Sequence, residues 1–548
     1  MNPTKYRACE VLDFPQRTWP NQKLTKAPIW CSVDLRDGNQ SLVTPLTLEQ
    51  KIEFFKYLVK IGFKEIEVGF PFASESEFQF VRTLIEQGLI PDDVRIQVLT
   101  QAREAVIRKT FDSLRGVKQA TVHLYNATSP LFREVVFGNS KQQTIDLAVF
   151  GAKMFNECAA NYTNGEQIAF EYSPECFSQT EPDFAVEACN AVISEWQGRE
   201  TIINLPFTVE SLTPNVHADL IEYVCGKLLN RDKVTVSLHA HNDRGTAVAA
   251  TELCLLAGAD RVEGTLFGNG ERTGNADIIT LAMNLYSQGI DPELDFSNIG
   301  EAIELYQRIT CLDVHPRHPY AGKLVFTAFS GSHQDAIRKG MARQKDKIWE
   351  MPYLPIDPKD VGCTYDEIIR VNSQSGSSSA AYILETKHSY HLPKKMQRDF
   401  GPIVTAHSDS LSEEITPEKI YELFRETYIA ETPYTFVERT EYVQKDNLSS
   451  LACKIKKNGE LLTVRGEARG PVEAFCNAMA SAFGTEFNVG DYFQHTLNVS
   501  EGARAPAITY LEITMGGKSY FGAGISRSTT NSALKAIVSA LNRAAVVG

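Results

Sequence analysis

The chain is expected to fold as an α/β protein: a closed (β/α)8 TIM barrel, then helical linker subdomains, then a C-terminal α+β domain. Three observations predict this. Between about residues 28 and 289, eight short β-rich runs alternate with eight helix-patterned segments, and that alternation implies a parallel sheet. Eight such units over this span match the usual barrel size of about 250 residues. Beyond about residue 430 the pattern of three strands and a helix occurs twice, which reads as one small α+β module. A doubly wound open sheet is the alternative for the first part, but no GxGxxG follows the first strand.

The elements follow in order. The first strand is expected at residues 28–35 (PIWCSVDL), and its helix opens at Thr47, with Gln50 completing a capping-box pattern. KEIEVGF, RIQVLT, QATVHLYNA, QIAFEYS, TIINLPFT, KVTVSLHAH and RVEGTLFG supply the other seven strands. Each precedes a helical pattern, such as SESEFQFVRTLIEQG or GTAVAATELCLLAGA. These give an N-terminal arm at 1–27, a barrel at 28–300, linker subdomains at 301–430 and a C-terminal α+β domain at 431–548. Within the linker, the Ser-rich NSQSGSSSA reads as a hinge.

Bulk composition excludes several classes. A formal net charge of −13 argues against nucleic acid or an anionic membrane as the main partner. Eleven cysteines without a CxxC pair read as reduced thiols of a cytoplasmic protein. The first residues lack the apolar core of a signal peptide, and no run of 18 apolar residues appears.

A barrel carries its chemistry where strands run out into loops. Arg36 and Asp37 are expected to end strand one, His123 to lie at the exit of strand four, and Glu171 to end strand five. Thr208 ends strand six, His239 and His241 end strand seven, and the loop GNGERTGN follows strand eight. Residues two apart on a strand share a face, so the two histidines point the same way and suit one divalent cation. A hydrogen-bonded histidine pair lining a polar pocket is the other reading, and the spacing leaves both open.

Two stretches, LRDGNQ-x10-K ending at Lys51 and HAHNDRGTA starting at His239, resemble the two signatures of the acyl-CoA/α-keto acid condensing enzymes. That family holds the isopropylmalate, homocitrate and citramalate synthases. FEYSPE, NLPFTVE, GERTGN, FSGSHQDAI, MPYLPIDPKDVG and RVNSQSG are similar to the longer, leucine-regulated isopropylmalate synthases. The resemblance implies a condensation of acetyl-CoA with 3-methyl-2-oxobutanoate that gives 2-isopropylmalate and CoA. It implies a divalent ion, Mg²⁺ or Mn²⁺ with Zn²⁺ also compatible, on Asp37, His239 and His241, with Asn275 nearby.

By the same resemblance, Arg36 would stabilise developing negative charge, the alternative being a structural salt bridge with a barrel carboxylate. His123, Asn204, Pro206 and Thr208 would contact the keto acid, and Glu171 and His333 are the candidate bases. The segment carrying His333 and Tyr365 would reach the partner's barrel in a homodimer. Leucine would inhibit at the C-terminal domain, where FGAGIS places Gly522 and Gly524. Those glycines either admit a small ligand or serve a tight strand-to-helix turn. The rival readings are homocitrate or citramalate synthase, a barrel metallohydrolase, and a leucine sensor without turnover.

Overall fold

Eight parallel strands follow one another round a closed barrel: β1 (Ile29–Ser32), β2 (Glu65–Gly69), β3 (Arg95–Gln101), β4 (Ala120–Ala127), β5 (Ile168–Glu175), β6 (Thr201–Phe207), β7 (Val234–Ala240) and β8 (Arg261–Gly264). Closure is made where Ile29 to Ser32 pair with Arg261 to Gly264. This computed structural model describes residues 2, 5, 11–160, 167–328, 330–345, 348–363, 377–411, 415–445, 448–484, 486–497 and 505–547. The chain divides into two units, residues 1–325 with 356–363, and residues 326–355 with 364–548.

Each strand is followed by its helix: α1 (Leu48–Lys60), α2 (Glu75–Glu86), α3 (Glu104–Ser113), α4 (Lys141–Ala160), α5 (Pro182–Glu195), α6 (Pro214–Cys225), α7 (Ala247–Leu256) and α8 (Ile278–Ser287), with α9 (Ile299–Thr310) closing the unit. The expected capping box forms at α1: the Thr47 side chain accepts from the Gln50 N–H while the Gln50 side chain accepts from the Thr47 N–H. Arm residues lie along α6, where Arg17 and Trp19 both donate to Asp219, at 2.9 and 2.8 Å.

The first strand is shorter than expected. It stops at Ser32, and Asp34–Gly38 forms a π-type helical turn. Asp34 explains the departure: its buried carboxylate accepts from Ser32 Oγ at 2.8 Å and from the Leu266 N–H at 3.0 Å, tying the turn to the end of β8. Arg36 and Asp37 therefore project from a turn rather than from a strand end. His123 and Glu171 depart from expectation in the opposite sense. They face one another in register inside β4 and β5, with four residues of each strand still to follow.

Barrel interiors are usually filled by bulky branched side chains. Here the inward positions at the middle of the barrel are polar: Glu67, Gln97, Glu171, Arg261 and Glu263 are each at most 1% exposed. Ile66 and Val68 alternate with Glu67, and Ile96 and Val98 with Gln97, so the apolar residues take the opposite face. Arg261 makes the polar layer tenable. It donates to Glu65 at 2.7 Å, to Gln97 and Ser237 at 2.8 Å, and to Glu263 at 3.0 Å.

The second unit contains α10 (Gly331–Arg343), α11 (Ser377–His388), α12 (Lys394–Leu411) and α13 (Pro417–Tyr428). Two repeats follow. β9 (Tyr434–Lys445), β10 (Leu448–Lys457) and β11 (Glu460–Ala468) lead to α14 (Pro471–Phe483); β12 (Asn488–Thr496), β13 (Ala507–Met515) and β14 (Lys518–Ser526) lead to α15 (Thr529–Val547). Each sheet is antiparallel, and the repeats share one apolar core built from Leu451, Ile455, Phe475, Ile513, Leu534 and Ile537, among others. The strand–strand–strand–helix duplication read from the sequence is present.

Gly522 and Gly524 lie inside β14, not in a strand-to-helix turn. A Cβ at Gly522 would collide with the backbone of Ala536 and Ala540, and one at Gly524 with that of Ser532 and Ala536. Close docking of α15 thus accounts for both glycines. Among the described residues, no helix is long and apolar enough to cross a membrane.

Candidate metal centre and substrate cavity

The turn after β1, the end of β7 and the loop after β8 converge on one rim. One ligand atom from each of Asp37, His239 and His241 lies within 4.8 Å of the others, and all three residues are buried. The histidine rings are 5.2 Å apart between centroids. His241, one residue beyond β7, forms a backbone bridge with Asn275, whose Nδ2 donates to Asp37 Oδ2 at 2.6 Å. Gly270 lets the loop close over these side chains: its φ is +155°, and a Cβ there would overlap the Asn275 amide and come 2.9 Å from Asp37 Oδ2.

The donor set fits a divalent cation. His241 Nδ1 and Asn275 Oδ1 are buried without a hydrogen-bond partner, and such atoms call for an unseen occupant of complementary charge. Burial pushes the Asp37 carboxyl up, but Arg36, His239 and His241 outweigh it and hold it at about 2. Burial, reinforced by His239, lowers His241 to about 4. At neutral pH the carboxylate is ionised and the imidazole neutral, the states in which both can ligate.

Beside the cluster opens a cavity of about 250 Å³ lined by Arg36, Asp37, Gln40, Leu99, His123, Tyr125, Ser173, Glu175, Asn204, Pro206, Thr208, His239, His241, Glu271 and Arg272. Arg36 bonds Asp37 through Nη1 at 2.8 Å and Glu67 through Nε. It is both a salt-bridged arginine and a lining group. His123 lies with Nδ1 2.9 Å from Glu67 Oε1 and Nε2 2.7 Å from Ser173 Oγ. Thr208 Oγ1 accepts from the Cys176 N–H at 2.9 Å. A second trio, His123, Glu171 and Glu263, also brings donor atoms within 4.8 Å. There the Arg261 guanidinium, 3.0 Å from Glu263 and 3.5 Å from Glu171, already supplies the positive charge.

Comparison with known proteins now bears on this rim. Residues 27–305 match the family described as HMGL-like, residues 323–385 the alpha-isopropylmalate synthase post-catalytic domain-like family, and residues 414–545 the LeuA allosteric (dimerisation) domain. The chain is 55% identical to the 2-isopropylmalate synthase of Acetoanaerobium sticklandii, over 99% of this chain and 97% of that one. It is 51% identical to that of Clostridium acetobutylicum over 98% and 99% of the two chains. With that of Pseudomonas putida it shares 52% identity over 98% and 97%. The chain belongs to the 2-isopropylmalate synthase family. It is therefore an enzyme, with an allosteric domain of the LeuA type at its C-terminal end.

Within this family member, the structure gathers most of the residues singled out from sequence. Asp37, His239, His241 and Asn275 come together, and Arg36, His123, Asn204, Pro206 and Thr208 line the adjoining cavity. Glu171 does not reach it. Its side chain is wholly buried in the barrel, and burial together with the neighbouring Glu263 pushes its carboxyl well up. The acid of FEYSPE that does line the cavity is the second one, Glu175. Burial raises its pKa, with Arg36 opposing. Glu175 shares the strand face of Glu171 but is the last residue of β5, four positions nearer the strand's exit. His333 is exposed on α10 with its ring stacked 3.9 Å from that of Tyr353, in the second unit. Tyr365 and most of the Ser-rich hinge lie outside the described residues. Glu67, Gln97, Glu263, Glu271 and Arg272 were not singled out from sequence, because buried or loop-borne polar residues carry no periodic signal of their own.

Proposed function

We propose that the chain carries out its family's condensation at this rim, joining acetyl-CoA to 3-methyl-2-oxobutanoate and, with water, releasing 2-isopropylmalate and CoA. The observation that carries the reading is the convergence of Asp37, His239 and His241 on a cavity that also holds a cation, Arg36, and a carboxylate, Glu175. Asp37, His239 and His241 would hold the divalent ion, with Asn275 Oδ1 beside them. Mixed oxygen and nitrogen donors suit Mg²⁺ or Mn²⁺, with Zn²⁺ compatible, and when bound the ion supplies Lewis acidity to a chelated 2-keto acid.

The remaining steps belong to the protein. Arg36, fixed by Glu67 and Asp37, carries a permanent charge towards the oxygen that becomes anionic. Thr208, Asn204 and His123 orient the keto acid, and Pro206 with Leu99 gives its branched end an apolar wall. A thioester methyl is a weak acid, so a base of raised pKa is needed. Glu175 suits that role by burial and by its place on the cavity wall, and it replaces Glu171 in our reading. His333 and Tyr365 would act in the barrel of a partner subunit within a homodimer, and leucine would inhibit through the LeuA-type domain. The cysteine usage supports action in the cytoplasm.

The test is product identification with metal-stripped protein resupplied with Mg²⁺ or Mn²⁺, acetyl-CoA and a panel of keto acids. The expected product is 2-isopropylmalate; preference for pyruvate or 2-oxoglutarate refutes the substrate assignment. Glu175→Gln should lower kcat by about 10²–10⁴-fold, while Glu171→Gln should change it far less. The reverse order would return the base to Glu171.

A further inference from the structure

Beneath the three candidate ligands, a buried carboxylate grips one of them. Glu263, in β8 and wholly buried, lies with Oε2 2.8 Å from Nδ1 of His239. Three further donors hold it in place: Gln97 Nε2 at 2.9 Å, Arg261 Nη1 at 3.0 Å and Asn204 Nδ2 at 3.2 Å. With so many donors, and Arg261 against it, the group stays an acceptor. The proton between it and His239 then resides on Nδ1, and Nε2 is left as the lone-pair nitrogen of that ring. His241 is built differently, since its Nδ1 has no hydrogen-bond partner.

We propose that Glu263 is a positioning residue for the metal centre, fixing the tautomer and tilt of His239 and so setting how tightly the Asp37–His239–His241 cluster binds a cation. The inference rests on the metal reading above. Its physical basis is general: a carboxylate on the far nitrogen of a ligating imidazole orients the ring and raises its basicity. The polar layer acquires a purpose from it. Gln97 bridges Glu263 to Glu67 at 3.2 Å, and Glu67 in turn holds Arg36 and His123. One buried layer thus orients both a metal ligand and two cavity residues.

The experiment uses the full chain, stripped with EDTA and titrated with Mn²⁺, free ion being followed by electron paramagnetic resonance. Glu263→Gln is expected to weaken Mn²⁺ binding by about 10–100-fold and to shift the visible absorption bands of the Co²⁺-loaded protein. The control is Glu65→Gln, which loosens the same Arg261, bonded at 2.7 Å, without touching His239. A merely structural role for Glu263 would affect thermal unfolding in both variants and Mn²⁺ binding in neither.

Unchanged Mn²⁺ affinity in Glu263→Gln, or an equal loss in Glu65→Gln, overturns the inference and leaves the metal reading standing. Failure of the unmutated chain to bind Mn²⁺, or undiminished binding by His239→Ala, sinks the metal reading instead. Should Glu263→Gln not fold, Gln97→Met removes one donor to the same carboxylate. Its expected weakening is about threefold, and unchanged affinity there overturns the inference equally.

Discussion

In the barrel, the middle of β2, β3, β5 and β8 carries Glu67, Gln97, Glu171 and Glu263, with Arg261 among them, all sealed from solvent. In the C-terminal module, buried positions of β10, β13 and β14 carry Leu451, Cys453, Ile455, Leu511, Ile513 and Ala523. The second interior is held by area and shape: apolar burial, and glycines that let α15 lie against β14. The first is held largely by pairing, because a buried charge is tolerable only while its partners remain. Glu171, whose carboxyl oxygens have no hydrogen-bond partner, has its pKa pushed well up by burial instead. A fold that accepts the harder solution at one level of one barrel is marking where its chemistry lies.

The comparison is broken most severely at the rim. Asp37→Ala or His239→Ala should lower the rate of CoA release by roughly 10³-fold or more, since a Lewis acid is lost at the reacting carbonyl. EDTA should do the same to the unmutated chain, and Mn²⁺ should restore activity only there. If either variant kept its activity after chelation, the polar layer would be serving the fold alone.

Next comes the layer itself. Arg261→Met strands Glu65 and Glu263 without their shared cation. Breaking a buried ion pair from one side is worth about 3–5 kcal/mol. Three of the four tryptophans, Trp19, Trp30 and Trp196, belong to the barrel unit, so urea unfolding followed by fluorescence reports on it directly. A loss below about 1 kcal/mol would mean that the carboxylates do not need their partner.

How much of this was legible beforehand follows the same division. Alternating apolar runs and helical stripes revealed the eight β-α units and the C-terminal duplication, because period is a property of the sequence itself. Two imidazoles on one strand face left a metal and a hydrogen-bonded pair both open, and the resemblance carried by LRDGNQ and HAHNDRGTA joined Asp37 to them as candidate ligands. What period could not reveal was depth. Glu171 and Glu175 belong to the same hexapeptide, and only the full length of β5 decides that the first is sealed inside and the second reaches the cavity. The placement of Gly522 and Gly524 inside β14 rather than in a turn is hidden for a similar reason, since the helix packed against them follows after the strand has ended.

The apolar interior should respond to size rather than charge. Gly524→Ala sets a methyl against the backbone of Ser532 and Ala536, and overpacking of this kind is worth about 1–3 kcal/mol. Amide hydrogen exchange in α15 should rise while that in β7 stays unchanged. Unaltered exchange in α15 would show that the helix can move away from the sheet at little cost.

The smallest effect tests the pairing rule at a second exception. His217, on α6, is wholly buried, stacks 3.9 Å from the ring of Phe207, and has neither ring nitrogen hydrogen-bonded. Burial, with Arg244 adding to it, lowers its pKa to about 3. A histidine that must stay neutral to stay folded takes up its proton more readily when unfolded. Its contribution is therefore fully present above about pH 6.5 and is lost as pH falls towards 3, at about 1.4 kcal/mol per pH unit. Between pH 6.5 and 5.5, urea unfolding of His217→Phe should lose about 1 kcal/mol less stability than the unmutated chain. Parallel pH profiles for the two proteins would mean that the imidazole finds a partner in solution, and that this corner of the barrel obeys the pairing rule after all.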